Sequence, residues 1–149
     1  MAEVRVSVDI DAPPEQVFAT AMAPERTPDW VTIVIRVEGH DSGPLRVGYE
    51  MRQRLCLRGV PFTVKWKLSE LDAPHYARWE GKGPARSKAI TENRLEATAA
   101  GTRFTYANEF KTPLGPLGAM AAGALMGGLP EREATASLAR LKALVEGES

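Results

Sequence analysis

The chain contains a single cysteine, Cys56, which excludes an internal disulfide and a cysteine-based metal site. It also has no net charge, because 19 Lys and Arg residues balance 19 Asp and Glu residues. This balance gives no overall reason to expect nucleic acid or an anionic membrane surface as a partner. The two histidines, His40 and His75, lie far apart in the sequence and have no pair of carboxylates nearby, so they make a poor metal site. We therefore expect no nucleic-acid partner and no cofactor.

Long hydrophobic runs are also missing. The longest weakly polar stretch, residues 114–129, contains five glycines and two methionines. It falls short of the about 18 strongly apolar residues that a membrane-spanning helix requires. The first residues carry no apolar signal core. The composition, 44% hydrophobic and 26% charged over 149 residues, is common among globular proteins. We expect one soluble, cytoplasmic domain over residues 1–149, either a monomer or a homodimer, with no membrane span.

Alternation of apolar and polar residues is present along most of the chain. Residues 4–10 alternate with the period of a strand that buries one face. A helix is expected to open at residues 12–15, where prolines suit a first helical turn, and a second short helix to lie within residues 25–30. Six further strands follow, joined by short turns rich in Gly and Pro. Such connections indicate an antiparallel sheet.

Helical spacing replaces this alternation in the C-terminal segment, from about Pro116 to Glu146. The stretch 127–130 (Gly-Gly-Leu-Pro) predicts a kink or break there. Charged residues on one face of the sheet place that face in water, so the helix should cover the other. The sequence thus predicts an α+β fold: a curved seven-stranded antiparallel sheet wrapped around a long C-terminal helix. The Gly- and Met-rich residues 113–130 would form a flexible lid or the mouth-side half of that helix.

The face that each strand residue occupies follows from the same alternation. In the second strand we expect Ile33, Ile35 and Val37 to face inward, and in the third strand every second residue from Val47 to Leu57. The outer face of the third and fourth strands is locally basic, but glutamates interleave with the cations, so we interpret it as solvated surface. Residues 81–88 are glycine-rich and basic without the spacing of a phosphate loop. They are interpreted as a solvated hairpin tip, with contact to an anionic headgroup as the alternative.

Five short segments resemble those of a known superfamily. They are Ile10–Phe18 at the first strand–helix junction, Pro28–Trp30, Gly43–Gly48, Gly101–Arg103 at the turn into the last strand, and Leu138–Glu146. In order and spacing they resemble the START/Bet v 1-like (SRPBCC) superfamily, and within it the polyketide cyclase/dehydrase group of small bacterial proteins. The resemblance implies a helix-grip fold. That fold hosts enzymes, lipid carriers, hormone receptors and chaperone regulators, so it does not fix the function.

The predicted inward face carries aromatic residues and uncharged hydrogen-bonding groups, a composition typical of ligand pockets. Two further residues could close the mouth. The candidate ligand-binding residues are Trp30, Tyr49, Met51, Gln53, Trp66, Trp79, Thr91, Asn93, Tyr106, Asn108 and Met120. The alternative is that the aromatic residues form an ordinary core. The amides could likewise be turned outward by bulges or be satisfied by the backbone.

Groups for acid–base catalysis are missing from this face, which has no Asp, Glu, Lys or Arg. An unperturbed tyrosine is a poor base near neutral pH. No serine lies in a nucleophile-elbow context. Tyr106 and Asn108 remain only as weak catalytic candidates.

Three functions fit these observations. The first is binding of a small hydrophobic molecule, such as a polyketide, lipid or aromatic metabolite, between the sheet and the C-terminal helix. The second is a polyketide cyclase or dehydratase that acts in the same cavity by orienting the chain and polarising carbonyls. The third is a protein-interaction module, which would have a filled core and an exposed apolar patch.

Overall fold

The computed structural model describes residues 2–57, 59–111 and 129–148. Seven strands form one antiparallel, curved sheet in the order β1-β7-β6-β5-β4-β3-β2. Two short helices and a 3-10 turn lie between β1 and β2, and a helix follows the sheet, which confirms the predicted fold class. The elements are β1 (Ala2–Ile10), α1 (Pro14–Ala21), a 3-10 turn (Pro24–Arg26), α2 (Thr27–Trp30), β2 (Val34–His40), β3 (Glu50–Leu57), β4 (Val60–Asp72), β5 (Tyr76–Lys82), a 3-10 turn (Pro84–Arg86), β6 (Lys88–Thr98), β7 (Gly101–Lys111) and α3 (Leu129–Gly147).

Helix α3 packs across the sheet at the β1 side. Leu138, Leu141 and Val145 are fully buried there, because helical spacing places all three on one face. The predicted helix covered residues from about 116 onward, and α3 confirms its second half. Residues 112–128 lie outside the described residues, and they include nearly all of the predicted lid segment 113–130 and the first two residues of the predicted kink.

The C-terminal end of α3 is held against the end of β1 by polar contacts. The Asp11 backbone N–H donates to the Glu146 carboxylate at 2.9 Å, and the Lys142 ammonium donates to the Asp9 carbonyl at 2.8 Å. Lys142 also donates to Glu146 at 2.6 Å, and these contacts hold the pKa of Glu146 below its usual value. The helix is therefore fixed in position by the strand that opens the chain.

Two of the segments that carry the family resemblance meet at this same junction. Thr102, at the start of β7, is fully buried and donates through Oγ1 to the carbonyl of Ala12 at 2.7 Å. Its neighbour Gly101 has a φ of +152° and lies against the backbone of Ile10 and Ala12. The resemblance at these positions thus reflects a close backbone crossing that few residues other than glycine could accommodate.

The predicted inward faces of the second and third strands need correction. Val34 is buried in β2, whereas Ile35 is 49% exposed, because the β2–β3 pairing shifts register twice and breaks the alternation. Val47 is 64% exposed, because β3 begins only at Glu50 and Gly48, with a φ of +96°, turns the chain just before it. From Glu50 onward the predicted alternation of β3 holds.

Within the described residues, no helix combines the length and apolar character needed to cross a membrane.

Candidate functional site

A cavity lies on the inner face of the sheet. Its volume is about 90 Å³, which is room for several waters. Strands β3 to β7 form its floor, and the end of α1, helix α2 and the start of β2 form its cover. The lining residues are Ala21, Met22, Thr27, Trp30, Val31, Ile33, Val34, Met51, Gln53, Leu55, Leu57, Phe62, Val64, Trp66, Trp79, Ala89, Thr91, Asn93, Tyr106, Asn108 and Phe110.

The sequence predicted a cavity between the sheet and the C-terminal helix. The described part of α3 contributes no residue to the main cavity, because Leu138, Leu141 and Val145 pack tightly over β1. The first half of the predicted helix lies outside the described residues, so that part of the prediction stays a prediction. Helix α3 instead borders a smaller adjoining cavity of about 30 Å³ through Glu133 and Ser137. The two cavities share one wall that includes Tyr106 and Asn108.

Aromatic side chains give the main cavity its shape. The indole of Trp30 meets the rings of Phe104 and Tyr106 edge-on, each with a centroid distance of 6.1 Å. Trp66 lies over Gly81 of the neighbouring strand, where a Cβ would be only 2.7 Å from the indole. Because Gly81 has no side chain, the indole of Trp66 can lie over it and form a wall of the cavity.

Gln53 is buried on this wall and supports Trp66. Its Oε1 accepts a hydrogen bond from the indole N–H of Trp66 at 2.9 Å, and its Nε2 lies 3.6 Å from the sulfur of Met51. The amide fixes the plane of the indole, since both of its ends have partners. Gln53 thus shapes the cavity more than it offers a free group to a ligand.

A polar cluster lies on β6 and β7, where the two cavities adjoin. The Thr91 hydroxyl donates to Oδ1 of Asn108 at 2.5 Å. Burial raises the pKa of Tyr106, and hydrogen bonds with Asn108 and Thr91 only partly offset this effect. The Tyr106 hydroxyl is consequently neutral near pH 7, so it can donate a hydrogen bond but is not a base.

Two buried polar atoms of the lining residues have no hydrogen-bond partner among the described residues. They are Oδ1 of Asn93, an acceptor, and Nε1 of Trp30, a donor. The other end of the Asn93 amide donates weakly to the carbonyl of Ala77, at 3.3 Å. An unpaired buried group costs about 1–3 kcal/mol, so a molecule that reached either atom with a suitable partner would recover part of that cost.

Nine of the eleven predicted ligand-binding residues line the main cavity, and the structure brings them together on one face. They are Trp30, Met51, Gln53, Trp66, Trp79, Thr91, Asn93, Tyr106 and Asn108.

Tyr49 is buried but does not line the cavity. Its hydroxyl donates to the carbonyl of Asp41 at 2.5 Å and lies 2.9 Å from Nδ1 of His40. The turn before β3 folds back over the ring. The alternation of residues in the sequence, from which Tyr49 was predicted to face inward, gives no sign of this contact. Met120 lies outside the described residues.

Three polar residues at the smaller cavity were missed by the sequence analysis. The backbone N–H of Thr32 donates to Ser137 Oγ at 3.0 Å, and the Thr32 hydroxyl donates to the Glu133 carboxylate. Ser137 donates to the carbonyl of Glu133 at 2.8 Å. The i,i+4 spacing of Glu133 and Ser137 was the available signal, because it places both on one helix face. A carboxylate therefore borders the smaller cavity, although the inner face of the sheet has none.

Metal binding has no obvious location in the part of the chain that the structure describes. No group of three His, Cys, Asp or Glu side chains is close enough there to hold an ion.

Comparison with known proteins adds to this geometry. The family described as "Polyketide cyclase / dehydrase and lipid transport" matches residues 1–146. A Mycobacterium tuberculosis H37Rv protein named Toxin Rv0910 is 24% identical over 133 residues, which span 88% of this chain and 92% of that one. The Zhui aromatase/cyclase from Streptomyces sp. R1128 has a TM-score of 0.81 at 18% identity, covering 97% of this chain and 93% of that one. The crystal structure of Ara h 8.0201 has a TM-score of 0.65 at 14% identity, covering 98% of both chains.

Proposed function

Because the chain belongs to the polyketide cyclase/dehydrase and lipid transport family, whose fold suits ligand binding or a cyclase role, we propose that it binds a small hydrophobic molecule in the main cavity. One observation carries this proposal. A cavity of about 90 Å³ lies on the inner face of the sheet, and three tryptophans, two phenylalanines and one tyrosine line it. Native cores are normally packed to the density of organic crystals, so an aromatic cavity of this size lowers the stability of the folded protein. Burial of a ligand in the cavity would offset this loss.

The polar groups of the cavity wall restrict which functional groups a ligand could carry. Most of the lining is apolar, so affinity would come from burial of rings or alkyl groups. Asn93 offers an unpaired acceptor and Trp30 an unpaired donor, and both side chains adjoin Tyr106 in the sheet or across the cavity. A ligand with one group that both donates and accepts, such as a phenol or an alcohol, fits this pair. The described residues that line the main cavity include no charged side chain, so the ligand would be uncharged where these residues bury it.

Replacing Asn93 by leucine should separate stability from binding. The substitution removes a buried acceptor that has no partner. We therefore expect the free energy of unfolding to stay constant or to rise by up to about 1 kcal/mol. Asn108→Leu is the matched control, because it breaks a paired amide on the neighbouring strand and should destabilise the protein by about 1–2 kcal/mol. Urea unfolding of the three proteins measures both effects. Marked destabilisation by Asn93→Leu alone would show that the amide is a structural group and not a ligand anchor.

A direct test of binding uses neutral aromatic molecules in pairs that differ by one hydroxyl, for example naphthalene and 1-naphthol. Thermal-shift titration should show stabilisation by both and a stronger effect of the alcohol. Asn93→Leu should reduce the difference between the two. If neither molecule, nor any other member of a hydrophobic library, raised the melting temperature, the proposal would be wrong.

A cyclase or dehydratase acting in the same cavity is the second candidate. The observation in its favour is the cluster of Thr91, Tyr106 and Asn108, whose neutral hydroxyl and amide could polarise a carbonyl of a bound chain. The structural likeness to an aromatase/cyclase makes poly-β-carbonyl compounds the first substrates to try. The third hypothesis, an interaction module, called for a filled core, and the cavity weighs against it.

Tyr106→Phe distinguishes a carrier from an enzyme. If the protein is a cyclase, loss of the hydroxyl should lower kcat by roughly a hundredfold or more, which is typical of removing one carbonyl-polarising donor, while ligand affinity changes little. If it is a carrier, the same variant should bind within a few-fold of the native protein and no turnover should be seen in either. Product formation followed by mass spectrometry, together with an equilibrium titration, makes the distinction.

A further inference from the structure

The smaller cavity differs from the main one in that a carboxylate borders it. Six of its nine lining residues also line the main cavity, so the two spaces adjoin along one shared wall. The other three, Glu133, Ala134 and Ser137, come from α3. A volume of about 30 Å³ is room for about two waters, and therefore for one small polar group of a larger molecule.

Glu133 is half-buried where α3 meets the chain just before β2. Oε2 of its carboxylate accepts a hydrogen bond from the Thr32 hydroxyl. Its backbone carbonyl accepts from Ser137 at 2.8 Å, and Ser137 Oγ accepts from the Thr32 backbone N–H at 3.0 Å. These bonds hold the carboxylate at the border of the smaller cavity, and they leave Oε1 without a hydrogen bond from any described residue.

No cation forms an ion pair with Glu133 within the described part of the chain. The other described residues that line the smaller cavity are uncharged. Residues 112–128, which connect β7 to α3, contain no Lys, Arg or His, so Arg58 is the one cationic side chain outside the described ranges. A positively charged group from a ligand would therefore compete at this carboxylate with at most that one side chain.

A purely structural role does not require a charge at position 133. The hydrogen bond from Thr32 needs only an acceptor, which the amide oxygen of a glutamine would also supply. A negative charge near the start of a helix is favourable, but Glu131 already supplies one in the first turn of α3. Neither role requires the carboxylate to border a cavity.

The wall shared by the two cavities suits a cation that is attached to an apolar body. Tyr106 and Phe110 belong to this wall, and aromatic rings both bury apolar groups and attract a cation that lies over them. A metal ion fits less well, because the described residues include no group of three His, Cys, Asp or Glu side chains that could hold one. The chemistry of the site therefore favours an organic ammonium group.

We propose that the smaller cavity binds the protonated amine of a hydrophobic ligand, with Glu133 as its hydrogen-bond acceptor and counter-charge. This inference rests on the proposed function, because the apolar body of the same ligand lies in the main cavity. It narrows the ligand class to hydrophobic amines. The charge stays at the half-buried carboxylate, so the part of the ligand in the main cavity is uncharged, as the lining there requires.

Three probes of nearly the same shape test the proposal on the full chain. They are 2-(1-naphthyl)ethylamine, 2-(1-naphthyl)ethanol and 1-propylnaphthalene, which end in an ammonium, a hydroxyl and a methyl group. Isothermal titration calorimetry near pH 7 should show the native protein binding the amine roughly tenfold more tightly than the alcohol. The reason is that a hydrogen bond between charged groups is stronger than a neutral one, although partial exposure of Glu133 limits the difference.

Glu133→Gln should lower the affinity for the amine roughly tenfold and change the affinities for the alcohol and the hydrocarbon by less than about threefold. Glutamine keeps an acceptor for Thr32, so the junction between α3 and β2 is preserved. Glu131→Gln is the matched control, because it removes the same charge from an exposed side chain two residues earlier on α3. It should leave all three affinities within about twofold of the native values.

Two results would overturn the inference alone. One is equal affinity of the native protein for the amine and the alcohol, which is also the result expected if Arg58 occupied the carboxylate. The other is equal loss of amine binding in Glu133→Gln and Glu131→Gln, which would mean that only net charge matters. In both cases the alcohol and the hydrocarbon still bind and the proposed function stands.

Binding of none of the three probes would instead overturn the proposed function together with this inference. The comparison of amine and alcohol on the native protein requires no variant, so it decides the matter even if Glu133→Gln failed to fold. Thermal unfolding of both glutamine variants should give similar melting temperatures, because each loses one negative charge near the start of α3.

Discussion

Gly101→Ala should lower the free energy of unfolding by about 2–4 kcal/mol, the largest effect that we expect from adding a single carbon atom. Gly101 has a φ of +152°, which residues with a side chain rarely adopt. A Cβ there would lie 2.3 Å from the carbonyl oxygen of Ile10 and 2.8 Å from the nitrogen of Ala12. Both are backbone atoms, so relief requires moving the β1–α1 junction. That movement would also strain the buried hydrogen bond from Thr102 to Ala12.

Gly39→Ala is the matched control for this experiment. Gly39 also lies in a strand, but its φ is outside the left-handed region and a Cβ there would have no atom within 4 Å. It should leave the stability unchanged or raise it by up to about 1 kcal/mol, since alanine restricts the unfolded chain. Thermal and urea unfolding should place Gly101→Ala roughly 10 °C below Gly39→Ala. Equal melting temperatures would mean that the junction is not the rigid crossing described above.

Ala89→Phe should weaken ligand binding strongly while the protein remains folded. Ala89 is buried on the floor of the main cavity, between Gly81 and Phe110 on the flanking strands. A phenyl ring at this position points into the open space and takes the place of a ligand ring. Losing burial of one ring-sized group costs about 1.5–3 kcal/mol, or roughly 10- to 150-fold in Kd.

The binding of Ala89→Phe is best measured with N-phenyl-1-naphthylamine, a neutral probe whose fluorescence rises in apolar surroundings. Ile90→Phe provides the control, because the next residue of β6 carries its side chain on the outer face. It should bind the probe as the native protein does. Unchanged binding by Ala89→Phe would place the probe elsewhere and remove the main support for a ligand in this cavity. Strong destabilisation of Ala89→Phe, beyond the about 1–3 kcal/mol of an overpacked core, would show that the space is not available.

The parts of the fold that the sequence predicted are those governed by local periodicity. The alternation along β6 and β7 placed Thr91, Asn93, Tyr106 and Asn108 on one face, and the pairing of these two strands runs without a register shift over its whole length. A regular register preserves the period of two from end to end. Most of the candidate site could therefore be predicted before any coordinates were known.

The mistaken positions all depend on contacts between residues distant in the sequence. Val34 and Ile35 exchange faces because β2 bulges against β3, and nothing in the five residues around them marks the bulge. Tyr49 alternates as expected, but a turn from Asp41 onward folds over it and uses its hydroxyl. Glu133 was not recognised in the sequence, because its hydrogen-bond partner Thr32 lies 101 residues away.

All three tryptophans of the chain, Trp30, Trp66 and Trp79, line the main cavity. The tryptophan fluorescence of this protein therefore comes entirely from the walls of a single compartment. Any occupant that displaces water, stacks on an indole or absorbs near the emission band should change the spectrum, with no label attached. Crude extracts could thus be fractionated on that optical response alone, and the native cargo identified from the fractions that produce it.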